Sequence, residues 1–377
     1  MERERTVVLG AGFARHGNAA MLERRGIPAL VLERSSAVGG SWRERYDSLR
    51  LNTVRWMSTL SGHRMPRRYG RWPARDQLVE YLEDYARVMR LRIRFDAEAR
   101  RVERRAGGWA VATPDGEVEA DAVVVATGYD HDPKLPDWPG RDGFAGSLIH
   151  ASSYRNPEPY WGRDVLVVSA GNTGSEVAHE LVQSGAARVR TAMRTPPNIF
   201  PREWLGVPMP LLAATSERNP LPVSDRLGWI MQRAIYGDLS LYGLPRSPVG
   251  YATNVQVRRV APTVDAGFVE AVKDRRIEVV AALEAFDGAD VILADGSRIQ
   301  PDAVIAATGY ERGLEPMVGH LGVLNEEGEP AHNGVPGDPK TPGLYFNGYR
   351  TLLSGQLRLI RMQARKIARA IAGELGA

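Results

Sequence analysis

Residues 6–33 read TVVLGAGFARHGNAAMLERRGIPALVLE, and this stretch decides the fold. The run Thr6–Leu9 is short, apolar and uncharged, as a strand buried on both faces is. Gly10 and Gly12 interrupt it, a helical stretch runs on to about Arg25, and a second apolar run, Ala29–Leu32, ends at Glu33. Strand, glycine turn, helix and strand in that order make a βαβ unit whose turn brings backbone against a pyrophosphate. The helix points its N-terminal amides and the positive end of its dipole at the phosphates. Glu33 stands 23 residues after Gly10, where an acid accepts hydrogen bonds from ribose hydroxyls. Gly10, Gly12, Phe13, Glu33 and Arg34 are therefore the candidate contacts of a first dinucleotide, FAD.

One residue does not suit the pattern. Arg15 stands where a third glycine is expected, the glycine that lets helix and strand pack closely. A long charged side chain there is a local conflict. Gly17 does not take over, because two helical positions turn the side-chain direction by roughly 200°. Either the helix is displaced or Arg15 swings out to meet a phosphate or a carboxylate. Weaker FAD binding than in a relative with glycine is expected.

The unit then repeats. Residues 165–194 read VLVVSAGNTGSEVAHELVQSGAARVRTAMR: a strand at Val165–Val168, a turn at SAGNTG, a helix through about Val182 and a strand over Arg188–Met193. Gly171, Asn172, Thr173 and Gly174 are the candidate contacts of a second dinucleotide. Ser169 takes the place of the first glycine, and a positive φ there costs a residue with a Cβ on the order of 1 kcal/mol. The second strand is followed by Arg194 and no acid, and an arginine at that place suits the 2′-phosphate of NADPH. Arg190 and Arg202 are possible helpers. A further repeat links DAVVVATGY at 121–129 with DAVIAATGY at 302–310, identical at seven of nine positions. Each follows a hairpin signal around an Asp-Gly turn, Asp115-Gly116 and Asp295-Gly296. The fold expected is α/β, with two Rossmann-like dinucleotide-binding domains, the second inserted into the first.

The boundaries expected are 1–150 for the first part of the FAD domain, 155–309 for the NADPH domain and 310–377 for the return. The return holds a strand at Leu344–Asn347 and an amphipathic helix with Leu357, Ile360, Ala364, Ile367 and Ile371 on one face. From about 196 to 251 the pattern loosens into prolines, glycines and aromatics, with one helical run near Arg226–Ile235. Such an excursion usually covers a site. Trp204, Trp229, Tyr236, Tyr242 and Tyr251 in it could wall an apolar substrate pocket, or could equally be core.

Composition excludes several classes. With 43% hydrophobic and 25% charged residues the chain is of ordinary globular make-up. Net charge is +4 and the pI near 9.3, but the arginines are spread rather than blocked, so no nucleic-acid partner is expected. No cysteine is present, which removes disulfides, thiolate zinc sites and dithiol redox chemistry. No metal-ligand spacing is found among the seven histidines. The charged N-terminus runs straight into a strand and no apolar run nears the roughly 20 residues a transmembrane helix needs. A cytoplasmic protein is expected.

Residues 144–154, FAGSLIHASSY, fit FxGxxxHxxxY at every fixed position. This resembles the identifying motif of the flavin-containing (class B) monooxygenases. GGSW at 39–42, both ATGY blocks and PGLYFNGY at 342–349 add to the resemblance, which covers nearly the whole chain. RTPPNIFPREWLG at 194–206 looks most like the YUCCA-type indole-3-pyruvate monooxygenases and their bacterial relatives. The resemblance implies that Gly40, Trp42, Gly128 and Gly348 lie along FAD, and that His150 fixes a domain connection and is not a proton-transfer base. It also implies that Asn52 is a catalytic hydrogen-bond donor beside the flavin, although a turn-forming asparagine reads almost as well.

The chemistry implied is hydride transfer from NADPH to FAD, then reaction with O2 to a C4a-(hydro)peroxyflavin that oxygenates a small 2-oxo acid, amine or sulfide. Two other readings stay open at this point: an NADPH oxidase or reductase without oxygenation, and a non-catalytic relative whose FAD binding Arg15 impairs. Neither the substrate nor the oligomeric state is written in the sequence.

Overall fold

The computed structural model describes residues 2–10 and 12–376. Its internal contacts divide it into two units. The first comprises the chain up to Glu44, Leu49–Asp132 and everything from Tyr310 onward; the second comprises Arg45–Ser48 and Pro133–Gly309.

In the first unit the sheet runs Arg92–Arg94, Ala29–Leu32, Glu2–Leu9, Gly116–Val125, Gly108–Thr113, Arg101–Arg105, with Leu344–Phe346 also on Gly116–Val125. The first four strands and Leu344–Phe346 pair in parallel, and the hairpin strands antiparallel. The opening strand starts four residues before the expected Thr6, because Glu2, Arg3 and Glu4 find partners at Val118, Glu119 and Ala120. Its charged end is held by Arg92 on Glu4 and Arg94 on Glu2.

Alternation in the pleat sorts the core. Val8, Val31 and Val124 face a cluster completed by the helices Phe13–Glu23, Arg75–Val88 and Gln356–Glu374. Val7, Leu9, Leu30, Leu32, Val123 and Val125 face the opposite cluster, with Trp109, Met317 and Phe346. The last helix buries Leu357, Ile360, Ala364, Ile367 and Ile371, the face its periodicity marks. Each large aliphatic residue so buried contributes about 1.5–3 kcal/mol.

The second unit has a five-stranded, all-parallel sheet: Ile277–Val280, Arg188–Ala192, Asp164–Val168, Ala303–Ala306, Ser147–His150. A separate antiparallel sheet holds the turn at Asp295-Gly296. The sequence reading carries the first domain to about 150, whereas residues 133–150 group with the second unit. The reason is the pairing of Ser147–His150 with Ala303–Ala306, which draws the preceding stretch along. Within the excursion the helical run is longer than expected, Leu221–Tyr236, with Pro220 before it and Gly237 after it.

Candidate functional sites

In the first unit the turn after Leu9 lies against the first ATGY block. Gly10 has φ +109°, and a Cβ on it would fall 2.5 Å from the Thr127 Cα. Only glycine permits that approach. Gly12 caps the helix Phe13–Glu23 and has open space where a side chain would stand, so the cradle fits a pyrophosphate. The surrounding cleft is lined by Gly10, Gly12, Glu33, Arg34, Gly40 and Thr127, among others. Arg34 donates to His131 Nε2 at 3.0 Å, which makes His131 Nδ1 the protonated nitrogen and the donor to Asp132 at 2.9 Å.

Arg15 turns out to meet a carboxylate. Its Nη1 donates to Glu33 Oε2, and both side chains are wholly shielded from solvent. Glu33 Oε1 accepts from the Ser35 amide at 2.7 Å and the Ser35 hydroxyl at 2.5 Å. The acid expected to hold a ribose is thus already engaged on both oxygens by its own chain. Burial lowers the Arg15 pKa to about 10, with Glu33 opposing the shift, so the guanidinium stays charged at neutral pH. Gly17 instead sits beside Leu60 and Ala364, on the helix's contact with the last helix.

The other first-unit candidates are dispersed. Phe13 is 3% exposed and packs in the core, so only its backbone can face a phosphate. Trp42 is half-buried against the same core and does not line the cleft. Gly128 directly follows Thr127, while a Cβ on Gly348 would stand 3.4 Å from Ala14 at the start of the first helix. Asn52 is half-buried in an irregular segment, also outside the cleft lining. Sequence reasoning missed Ser35, Asp130 and His131, which also line the cleft and stand in no motif; Thr127 lies in the repeated ATGY block.

In the second unit the turn repeats the geometry. Ser169 adopts φ +92°, the strained conformation expected there. Gly171 caps the helix Asn172–Gln183, and a Cβ on Gly174 would lie 2.0 Å from the Ser169 carbonyl oxygen. Gly174 therefore does what the third glycine of the pattern is for. The Asn172 side chain is spent elsewhere: Oδ1 accepts from the Val264 amide at 2.8 Å and Nδ2 donates to the Pro262 carbonyl at 3.1 Å. It ties the helix start to a neighbouring strand, leaving its backbone amide for a ligand. Thr173 is half-buried in the same turn of helix.

Arg194 is exposed, with no hydrogen bond or ion pair among the described residues. Arg190 is not a helper of the kind expected. It is buried, donates to Asp164 at 2.5 Å and approaches Glu278 at 3.4 Å, because it sits mid-strand rather than at the strand end. Arg202 lies 4.0 Å from Glu176.

His150 has a structural setting. The Ser152 amide donates to Nδ1 at 3.1 Å, so Nε2 carries the proton and donates to the Gly309 carbonyl at 3.0 Å. Burial first, and Arg45 to a lesser degree, lower its pKa, while the Gly309 contact opposes them. A neutral imidazole thus fastens the strand end to the second ATGY block. Of the excursion's aromatics, Trp204, Trp229 and Tyr242 are part-exposed, while Tyr251 packs on Phe200 at 5.1 Å and Tyr236 donates to Asp265 at 3.0 Å.

The family model described as pyridine nucleotide-disulphide oxidoreductase matches residues 7–202. The chain is 34% identical over 323 residues to indole-3-pyruvate monooxygenase YUCCA1 of Oryza sativa subsp. japonica, covering 84% of this chain and 79% of that protein. It is 31% identical over 358 residues to the probable indole-3-pyruvate monooxygenase YUCCA7 of Arabidopsis thaliana, covering 91% and 82%. Among solved structures, a flavin-containing monooxygenase from Stenotrophomonas maltophilia superposes with TM-score 0.77 at 22% identity over 100% of both chains. An NADP+-bound cyclohexanone monooxygenase from a Rhodococcus species gives TM-score 0.77 at 18% identity, covering 100% and 85%.

Proposed function

The chain belongs to the flavin-containing monooxygenases of the pyridine nucleotide-disulphide oxidoreductase family, and from that premise we propose that it oxidatively decarboxylates a 2-oxo acid with an aromatic side chain. It is an oxidoreductase that uses FAD and NADPH. Bound together, these supply hydride transfer from NADPH to the flavin and activation of O2 by the reduced flavin. In the net reaction the 2-oxo acid, O2, NADPH and a proton give the acid one carbon shorter, CO2, water and NADP+. The C1–C2 bond breaks, one oxygen atom enters the new carboxyl group, and the other leaves as water.

The observation that carries the substrate class is the 34% identity to a protein named for indole-3-pyruvate. The absence of cysteine supports oxygen as the acceptor, since a dithiol reductase has no dithiol here. The chain's own residues bind and orient. The amides at the start of Phe13–Glu23 hold the FAD pyrophosphate, Arg34 and Gly40 border it, and Gly128 and Gly348 let backbone pass close by. The amides at Gly171–Gly174 hold the NADPH pyrophosphate, and Arg194 takes its 2′-phosphate. Asn52 donates a hydrogen bond beside the flavin ring. Trp204, Trp229 and Tyr242 offer apolar surface to an aromatic side chain. We place the protein in the cytoplasm; no described helix is long and apolar enough to cross a membrane.

The test is coupling. With indole-3-pyruvate or phenylpyruvate, NADPH consumed should match CO2 released, with little hydrogen peroxide. If peroxide matches NADPH whatever the substrate, the chain is an oxidase. Coupled turnover only with amines or sulfides would remove the 2-oxo acid assignment.

A further inference from the structure

The first unit has a second concavity, away from the glycine turn, that the assigned chemistry does not use. The segment Arg55–Arg67 forms one wall and the last helix, Gln356–Glu374, the other. Five arginines line it: Arg55, Arg64, Arg67, Arg361 and Arg365. None of the five makes an ion pair with a carboxylate among the described residues. Elsewhere the chain pairs its arginines freely, as with Arg3 on Asp121, Arg92 on Glu4, Arg188 on Glu278 and Arg298 on Asp287.

Three of the five are held in place by neutral acceptors. Arg55 donates to the carbonyls of Gly70 at 3.1 Å and Met65 at 3.0 Å; Arg361 donates to the Thr59 carbonyl at 3.1 Å; Arg365 donates to the Ser61 hydroxyl at 2.8 Å. Each guanidinium carries five N–H donors, so each keeps several over. Asp84, the partner of the lining residue His63 at 2.6 Å, is also taken by Arg87. Burial, then repulsion from Arg365 and Arg358, lowers the Arg361 pKa. Like charges gathered along one concave surface repel one another, and an oxyanion seated among them would relieve that repulsion while taking up the spare donors.

We propose that this groove binds a small polyanion carrying at least two phosphate or carboxylate groups, at a site separate from the FAD cradle. Fixed guanidinium forks favour planar or tetrahedral oxyanions over simple halides. The positive residues enclose a groove rather than forming the open stripe a nucleic acid follows. The inference goes beyond the monooxygenase reading and does not depend on it.

The test is isothermal titration of pyrophosphate, and separately citrate, into protein saturated with FAD and NADP+, so that the dinucleotide phosphate sites are filled. One-to-one binding is expected, tightening at low salt, and the tighter of the two probes identifies phosphate or carboxylate chemistry. Arg64→Gln with Arg67→Gln should weaken it at least tenfold. These two side chains make no hydrogen bond among the described residues, so the flavin spectrum and melting temperature should not move. Arg361→Gln with Arg365→Gln should abolish binding. No heat up to millimolar probe, or an affinity unchanged in Arg64→Gln/Arg67→Gln, would overturn the proposal. So would a DNA oligonucleotide or a phosphatidylserine vesicle bound more tightly than either small anion, since the groove would then be a macromolecular surface.

Discussion

Replacing Arg15 with methionine would strip the counter-charge from Glu33 at a place neither side chain exposes to water. Breaking a buried ion pair from one side costs about 3–5 kcal/mol, because the remaining charge has no solvent to turn to. Here Ser35 keeps two hydrogen bonds on the other carboxylate oxygen, so the lower end, about 3 kcal/mol, applies. For a domain of this size that corresponds to a fall in melting temperature of roughly 6–12 °C. Glu33→Gln should also destabilise, since it leaves the Arg15 charge buried beside an amide. The double variant removes both charges and should return to within about 1 kcal/mol of the parent, as apolar replacement of a buried pair is often neutral. The assay is a double-mutant cycle by urea unfolding, followed by circular dichroism on flavin-free protein. Simple additivity, or an Arg15→Met melting point within a degree or two of the parent, would refute the pair as the reason Arg15 is tolerated at a glycine position.

Other outcomes follow from the same geometry. Arg15→Gly should tighten FAD binding by roughly tenfold or more, because one charge-assisted hydrogen bond of Glu33 becomes free for a ribose hydroxyl; equilibrium dialysis showing no change would dispose of that role for Glu33. Ser169→Gly should raise stability by roughly 0.5–1 kcal/mol by relieving its positive φ, and a destabilised variant would mean that the hydroxyl matters more than the strain. Arg194→Gln should weaken NADPH about 10- to 100-fold and leave NADH alone; equal losses would remove the 2′-phosphate contact. His16 is buried and neutral, its pKa lowered to about 3 by burial and then by Arg15. Its folded value lies below the unfolded value near 6.5, so the unfolded chain takes up the proton first. The stability is complete above about pH 6.5 and declines as pH falls, by about 2 kcal/mol at pH 5. His150 shifts in the same direction. His16→Gln should flatten that slope, and an unchanged slope would assign it to other groups.

The sequence alone determined the two βαβ units, their glycine turns and the inner face of the last helix. Those features are local: a period of two or of 3.6, a glycine where the chain turns, an apolar run where a strand is covered on both faces. Arg15 was legible as a conflict, since a charged residue stood at a glycine position. Its resolution was not, because Arg15 and Glu33 are eighteen residues apart and meet only when strand and helix have packed. Nor could periodicity tell that Asn172 is spent on Val264 and Pro262, or that Arg190 lies mid-strand between Asp164 and Glu278. The boundary near Asp132 depends on which sheet the strand Ser147–His150 joins, a choice made by pairing partners more than 150 residues away. The arginine groove belongs wholly to the tertiary structure. Arg55–Arg67 and Arg361–Arg365 lie in segments nearly 300 residues apart, and only folding places their charges on one surface.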